Sequence, residues 1–181
     1  MHPDVEISLE VLNRDGVVQR LRDNVDDLYI MSKPPVDIDA VIHAFLPNPL
    51  VLIAPVGHAL AGRTRVMLAD LHAERFVLRE KGSGTRLTTD AHFAKHHFVP
   101  RLRLEMGSNE ALKQAVAGGL GLSVVSQHAL GPDLAGQGLT VLGVEGFPVE
   151  SNWYTVHLRG KRLSPLATAF MQYLDHFAAK A

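Results

Sequence analysis

Short, unbroken apolar runs, spaced by segments that carry helix caps, constrain this chain more than any other feature. Leu28-Tyr-Ile-Met31, Leu50-Val-Leu-Ile-Ala54, Phe76-Val-Leu78 and Leu122 to Val125 have no polar alternation and are too short for helices. They therefore predict strands covered on both faces. Leu102 to Met106, Leu139 to Val144 and Trp153 to Leu158 read as further strands. Val5, Ile7, Leu9 and Val11 alternate with Glu6, Ser8 and Glu10, the period-two pattern of a half-exposed strand near an edge. Helical segments fall between these runs. Val17, Val18 and Leu21 mark a short one, and Leu87, Ala91, Ala94 and Phe98 stripe one face of 85–98. Ser164 as N-cap before Pro165 opens a third, whose apolar face is Leu166, Phe170, Tyr173, Leu174 and Phe177. Strands and helices taking turns predict an α/β fold with a mostly parallel sheet, its ligands bound beyond the C-terminal strand ends.

Composition narrows the function classes. With 181 residues and 46% hydrophobic content, the chain can bury the core of one domain or two small lobes. It has no cysteine, which removes disulfides, thiolate metal sites and cysteine nucleophiles. A formal net charge of −1 provides no broad electrostatic footprint for nucleic acid or membrane. No apolar run approaches the roughly 18 residues of a membrane span, and Met1-His-Pro-Asp-Val lacks the basic and apolar regions of a secretory leader. These features predict a cytoplasmic chain that makes no membrane contact.

Two turns carry the best candidate chemistry. In Gly107-Ser-Asn-Glu-Ala-Leu-Lys-Gln-Ala-Val-Ala-Gly-Gly-Leu-Gly, Ser108 is a good N-cap, Glu110 complements the positive helix end, and Gly118 or Gly119 provides the stop. In Arg79-Glu-Lys-Gly-Ser-Gly-Thr-Arg86, small residues leave backbone amides approachable just before a helix begins. Helix fronts with free amides attract carboxylate and phosphate. The plainer reading is that Ser83 or Thr85, and Ser108, cap their own helices and hold nothing else. Catalysis has little support: no G-x-S-x-G elbow occurs, and the glycine turn lacks a dinucleotide fingerprint. His92 and His96 stand four apart, as a zinc pair would, but no Glu follows as in HExxH. With the stripe above turned inward they point to solvent, so neither a metal nor a cofactor is expected.

The run from Phe76 to Leu130, FVLREKGSGTRLTTDAHFAKHHFVPRLRLEMGSNEALKQAVAGGLGLSVVSQHAL, resembles the second lobe of the effector-binding domain of LysR-type transcriptional regulators. DVEISLEVLNRDGVVQRLRDNVDDLYIMSKPP and FLPNPLVLIAPVGHALAG resemble that domain's first lobe and its crossover strand, so the likeness covers nearly the whole chain. The GSGTR, GSNEA and DDLYIM…PP wording is most similar to regulators of Calvin-cycle carbon-fixation operons. The resemblance implies a type 2 periplasmic-binding-protein-like fold: two Rossmann-like lobes around a cleft, joined by two crossover strands near Leu52 to Val56 and Gly146 to Asn152. Lobe I is expected to comprise 1–54 and 150–181, and lobe II 55–149. The cleft candidates it implies are Ser32, Ser83, Gly84, Thr85, Ser108 and Asn109, with Arg79 and Arg86 placed to neutralise an anion.

The same resemblance implies a sensor and no enzyme activity, with a small anionic metabolite as effector. Sugar bisphosphates, phosphoenolpyruvate and phosphoglycolate are the natural candidates. It implies a homodimer or tetramer formed through the effector domain, and DNA contact only through an N-terminal winged helix-turn-helix that these residues do not include. The family's first effector-domain strand and helix are also missing from the matched wording, so lobe I is expected to be incomplete, with an exposed strand edge. Two rival readings are an oligomerisation module with a vestigial cleft and a fragment of a solute-binding protein.

Overall fold

The computed structural model describes residues 5–179. Residues 1–4 and 180–181, part of the expected lobe I, lie outside the described residues. Strands β1 (Tyr29–Met31), β2 (Ala40–Pro47) and β8 (Asn152–Leu158) form one sheet in the order β1-β8-β2. Strands β3 (Leu50–Pro55), β6 (Ser123–Ser126) and β7 (Leu139–Leu142) form a second in the order β6-β3-β7. Beside it run β4 (Arg75–Arg79) and β5 (Arg101–Met106), tied to β6 through a parallel bridge between Phe76 and Leu122.

The alternation of strands and helices holds, but the expected parallel character is limited to β4 with β5 and to the isolated bridges Phe76–Leu122 and Val66–Val144. The β1, β2 and β8 ladders and the β3, β6 and β7 ladders are antiparallel. The reason lies in the connections, because the chain passes between the sheets twice in opposite directions. Asn48 and Leu50 hydrogen-bond to Ser151 and Val149 across that passage. The passage therefore sits at about 47–50 and 149–152, a few residues before the expected first crossover. Residues 50–55 are fully apolar because β3 is central in the second sheet, between β6 and β7. We propose the lobe division accordingly, as 5–48 with 150–179 and as 49–149.

Helices cover these sheets through three apolar clusters. Helix α1 (Arg14–Arg22) buries Val18 and Leu21 against Tyr29, Met31, Ala40 and Val156. Helix α2 (Gly84–Lys95) sends Phe93 into a core with Leu52, Phe76, Leu78 and Val124. Helix α3 (Asn109–Ala117) buries Leu112, Ala115 and Val116 on the opposite face, against Val51, Ile53 and Val77.

Three expectations fail here. Residues 5–11 form no strand: they have no ladder partner among the described residues, and Ile7, Leu9 and Val11 are 76–80% exposed. Alternation alone cannot make a strand without a neighbour to pair. The inner face of α2 is Arg86, Thr89 and Phe93, while Leu87 of the expected stripe is exposed. Helix α4 (Pro165–Ala178) forms with its Ser164 cap, but of its residues only Ala167 is buried, and Leu166, Phe170, Tyr173 and Phe177 are exposed.

Candidate functional site

The fronts of α2 and α3 meet at a seam between the two sheet groups, and local chemistry fixes each part of it. Residues 80–83 close a turn by the Ser83 N–H donating to the Glu80 carbonyl at 3.2 Å, with Gly82 at φ +91°. Only glycine adopts that conformation without strain. Ser83 then caps α2 by accepting from the Arg86 N–H, and Ser108 caps α3 by accepting from the Ala111 N–H at 3.2 Å. The amides of Gly84, Thr85, Asn109 and Glu110 have no acceptor among the described residues. Each helix front therefore presents two free donors and the positive end of its dipole.

Arg79 ties the two fronts together. Its guanidinium donates to Asn109 Oδ1 at 3.0 Å, to the Gly107 carbonyl at 3.4 Å, and to both carboxylate oxygens of Glu80 at 2.9 and 3.1 Å. Ser32, just after β1, reaches the same place from the other sheet: a β-carbon built on Gly84 would sit 2.6 Å from Ser32 Oγ. The structure thus gathers Ser32, Arg79, Ser83, Gly84, Thr85, Arg86, Ser108 and Asn109 along one seam.

The two arginines do a different job from the one expected of them. Arg86 is neither a free cation nor a solvated one. It is 9% exposed and donates to Asp90 at 2.8 Å, to Glu105 at 2.7 Å and to the Arg79 carbonyl at 2.8 Å. Burial disfavours its charge, yet the two carboxylates outweigh burial and raise its pKa above the ordinary arginine value. Neither guanidinium is left unpaired, so any anion at this seam is held chiefly by amides and hydroxyls.

Sequence reasoning missed the contribution of α1. Asn13 caps that helix, and the Asp15 N–H donates to the Gly82 carbonyl at 3.2 Å, linking the first sheet group to the turn of the second. The only signal for it was the Asn-Arg-Asp-Gly wording of a helix front. Glu80 lies behind the same contact. Burial would raise its carboxyl, but the Arg79 guanidinium, with lesser help from Asn13, brings it below the usual glutamate range. A depressed carboxyl contributes stability above the unfolded pKa, near 4.3, and loses it as pH falls through the lower folded value. Acid titration followed by circular dichroism should therefore show a loss of stability below about pH 4 that Glu80→Gln reduces. An unchanged acid limb in the variant would remove Glu80 from this role.

His92 also departs from expectation, whereas His96 is exposed as expected. Because Phe93 points inward, His92 is half-buried, with its ring 4.9 Å from that of Phe147 and 4.4 Å from that of His96. Among the described residues no group of three His, Cys, Asp or Glu side chains is arranged to hold a metal. No helix there is long and apolar enough to cross a membrane.

Residues 1–178 match the family model of the LysR substrate binding domain. The chain belongs to that family. LysR relatives include the RuBisCO operon transcriptional regulators of Acidithiobacillus ferrooxidans and Allochromatium vinosum, each 46% identical over 99% of this chain. The chain spans 58% and 59% of those two proteins, so it matches somewhat over half their length. The regulatory domain of Synechocystis CcmR, solved in complex with 2-PG, is 46% identical and superposes with a TM-score of 0.93 over 98% of this chain and 85% of that one. The effector-binding domain of QuiR, solved with shikimate, superposes at 0.87 with 21% identity over 99% of this chain and 84% of that one, which shows the shared fold alone. The architecture is thus the two-lobed, type 2 periplasmic-binding-protein-like fold of LysR effector domains. These relatives are regulators and not enzymes, and the likeness to carbon-fixation operon regulators holds.

Proposed function

We propose that this chain is the effector-sensing domain of a LysR-type regulator and that it closes on a small anion of the phosphoglycolate class. The observation that carries this reading is the set of four acceptor-less amides, at Gly84, Thr85, Asn109 and Glu110, on two helix fronts joined by Arg79. A phosphate or carboxylate satisfies such donors through charge-assisted bonds, each worth about 1.5–3 kcal/mol. The Asp15 to Gly82 bond and the Ser32 to Gly84 contact join the two sheet groups across the same seam. A ligand that touches both sides favours the closed arrangement by its difference in affinity between closed and open forms. In the longer protein, closure would be passed to a DNA-binding domain in a cytoplasmic homo-oligomer.

Calorimetry with 2-phosphoglycolate, phosphoenolpyruvate and a sugar bisphosphate tests this. Saturable binding of at least one is expected, and Gly84→Val should weaken it at least about tenfold, or ~1.4 kcal/mol. The added side chain meets Ser32 Oγ and covers the amides on which the anion would rest. Absence of heat across the panel at millimolar ligand, from a cooperatively folding chain, would defeat the phosphate reading. The exposed Ile7, Leu9 and Val11 favour a second role in self-association. Sedimentation with and without 2-phosphoglycolate separates the two, since a pure assembly module shows no ligand dependence.

A further inference from the structure

A second concentration of positive charge lies along the side of α2, adjoining its front at Lys33. Between the side of α2 and residues 146–150 runs a groove of about 640 Å³, lined by Lys33, Thr88, Ala91, His92, Lys95 and His96 on one side and Gly146 to Glu150 on the other. Several basic side chains elsewhere are spent on carboxylates: Arg20, Arg22, Arg65, Arg79, Arg86 and Arg159 each pair with one within 3 Å. Lys33 and Lys95 make no ion pair and no side-chain hydrogen bond among the described residues. His96 Nδ1 lies 2.9 Å from the His92 carbonyl, so it carries the proton and leaves Nε2 without a partner. His92 Nε2 is buried and also unpartnered, packed close to Gly146. Glu150 is the one carboxylate on the groove wall. Two permanent cations and two imidazoles thus face a single negative charge.

We propose that this groove is a second anion site, separate from the amide-lined seam, taking a small divalent oxyanion between Lys33, Lys95 and His96. The floor of Ala91, Phe147 and Val149 accepts the apolar remainder of a phosphate ester, while the cations hold its head. Binding there strengthens on acidification. Burial, then His96 and Lys95, holds the His92 imidazole below the ordinary histidine range, and His96 and Lys95 are like charges in the same groove. Glu150 from the facing segment and Lys33 from beyond β1 complete the charges near it. An anion opposes the repulsion that lowers His92, so protonation of His92 and binding favour one another.

Imidazole resonances of the chain labelled with 15N-histidine, titrated with sulfate at constant ionic strength, provide the test. Sulfate stays divalent throughout the range used, so only the protein titrates. Saturable shifts at His92 and His96 are expected, with tighter binding at the acid end of a series from about pH 8 down to about pH 5, because the depressed His92 imidazole gains its proton only as the solution becomes acid. Lys95→Ala and Lys33→Ala should each weaken binding roughly three- to fivefold, the effect of one exposed cation. Both lysines are exposed, so neither change endangers the fold. Asn109→Pro removes a free amide at the α3 front, on a residue that does not line the groove, and should leave the shifts intact, which separates this site from the seam and its failure from failure of the effector reading. Absence of saturable shifts, indifference to both lysine changes, or loss in Asn109→Pro would each overturn the second site.

Discussion

Arg86→Ala should destabilise the chain by about 3 kcal/mol and abolish effector binding at the seam. The guanidinium joins three pieces of the second lobe: Asp90 one turn along α2, Glu105 on β5, and the Arg79 carbonyl at the end of β4. Removing it leaves two carboxylates near each other and a carbonyl without its donor. Asp90 and Glu105 are 47% and 36% exposed, so water rehydrates them in part and places the cost toward the low end for a broken buried pair. The functional loss follows from position, because the freed Arg79 carbonyl stands at the root of the turn that presents Gly84 and Thr85. Urea denaturation measures the first effect and calorimetry with 2-phosphoglycolate the second. Arg86→Lys separates charge from geometry: one ammonium cannot reach all three acceptors in the fork arrangement, so it should recover only part of the stability. Full stability in Arg86→Ala would show that the triple contact contributes nothing.

This same residue marks the boundary of what the chain discloses before it is folded. Runs such as 50–54 and 76–78 were readable because a strand buried on both faces admits only apolar residues, and their burial is nearly complete. Strand β2 was missed because most of its residues are exposed or half-buried, so its Ala-Val-Ile-His wording carries no pattern. The inner face of α2 was misjudged because two of its buried positions are Arg86 and Thr89. A cation with one of its carboxylate partners 19 residues away looks like surface until that partner is known. His92 was sent to solvent by the same mistake. Strand direction was hidden for another reason: parallel or antiparallel pairing depends on how the chain crosses between sheets, which no local window contains.

The candidate site divides along similar lines. Caps are local, and Ser83, Ser108 and Ser164 each accept from the third following amide as expected. Which fronts face one another is not local. It follows from Arg79 reaching Asn109 across 30 residues, and from Asp15 reaching Gly82 between the two sheet groups.

Phe93→Ala should cost more than any change at the seam, about 3–5 kcal/mol in chemical denaturation. Its ring is 1% exposed and stands 4.9 Å from Phe98, 5.7 Å from Phe76 and 6.5 Å from Phe147, centroid to centroid. Phe76 belongs to the sheet, Phe98 follows the helix, and Phe147 lies next to the passage between the lobes. One side chain therefore anchors α2 to three separate parts of the structure, and its loss opens a cavity that stiff β-strands cannot collapse into. Against a total stability of about 5–15 kcal/mol for a domain, such a loss populates loosened forms at ambient temperature. Phe93→Leu keeps most of the volume and should cost under about 1.5 kcal/mol. The comparison decides more than core packing. If α2 is held in place by this cluster, Phe93→Ala must weaken ligand binding at its front by the fraction of molecules in which the helix is undocked, while Phe93→Leu leaves affinity intact. Equal binding by both variants would mean that the amides of Gly84 and Thr85 are positioned by Arg86 and the Ser83 cap alone, and that the aromatic cluster and the seam are energetically independent.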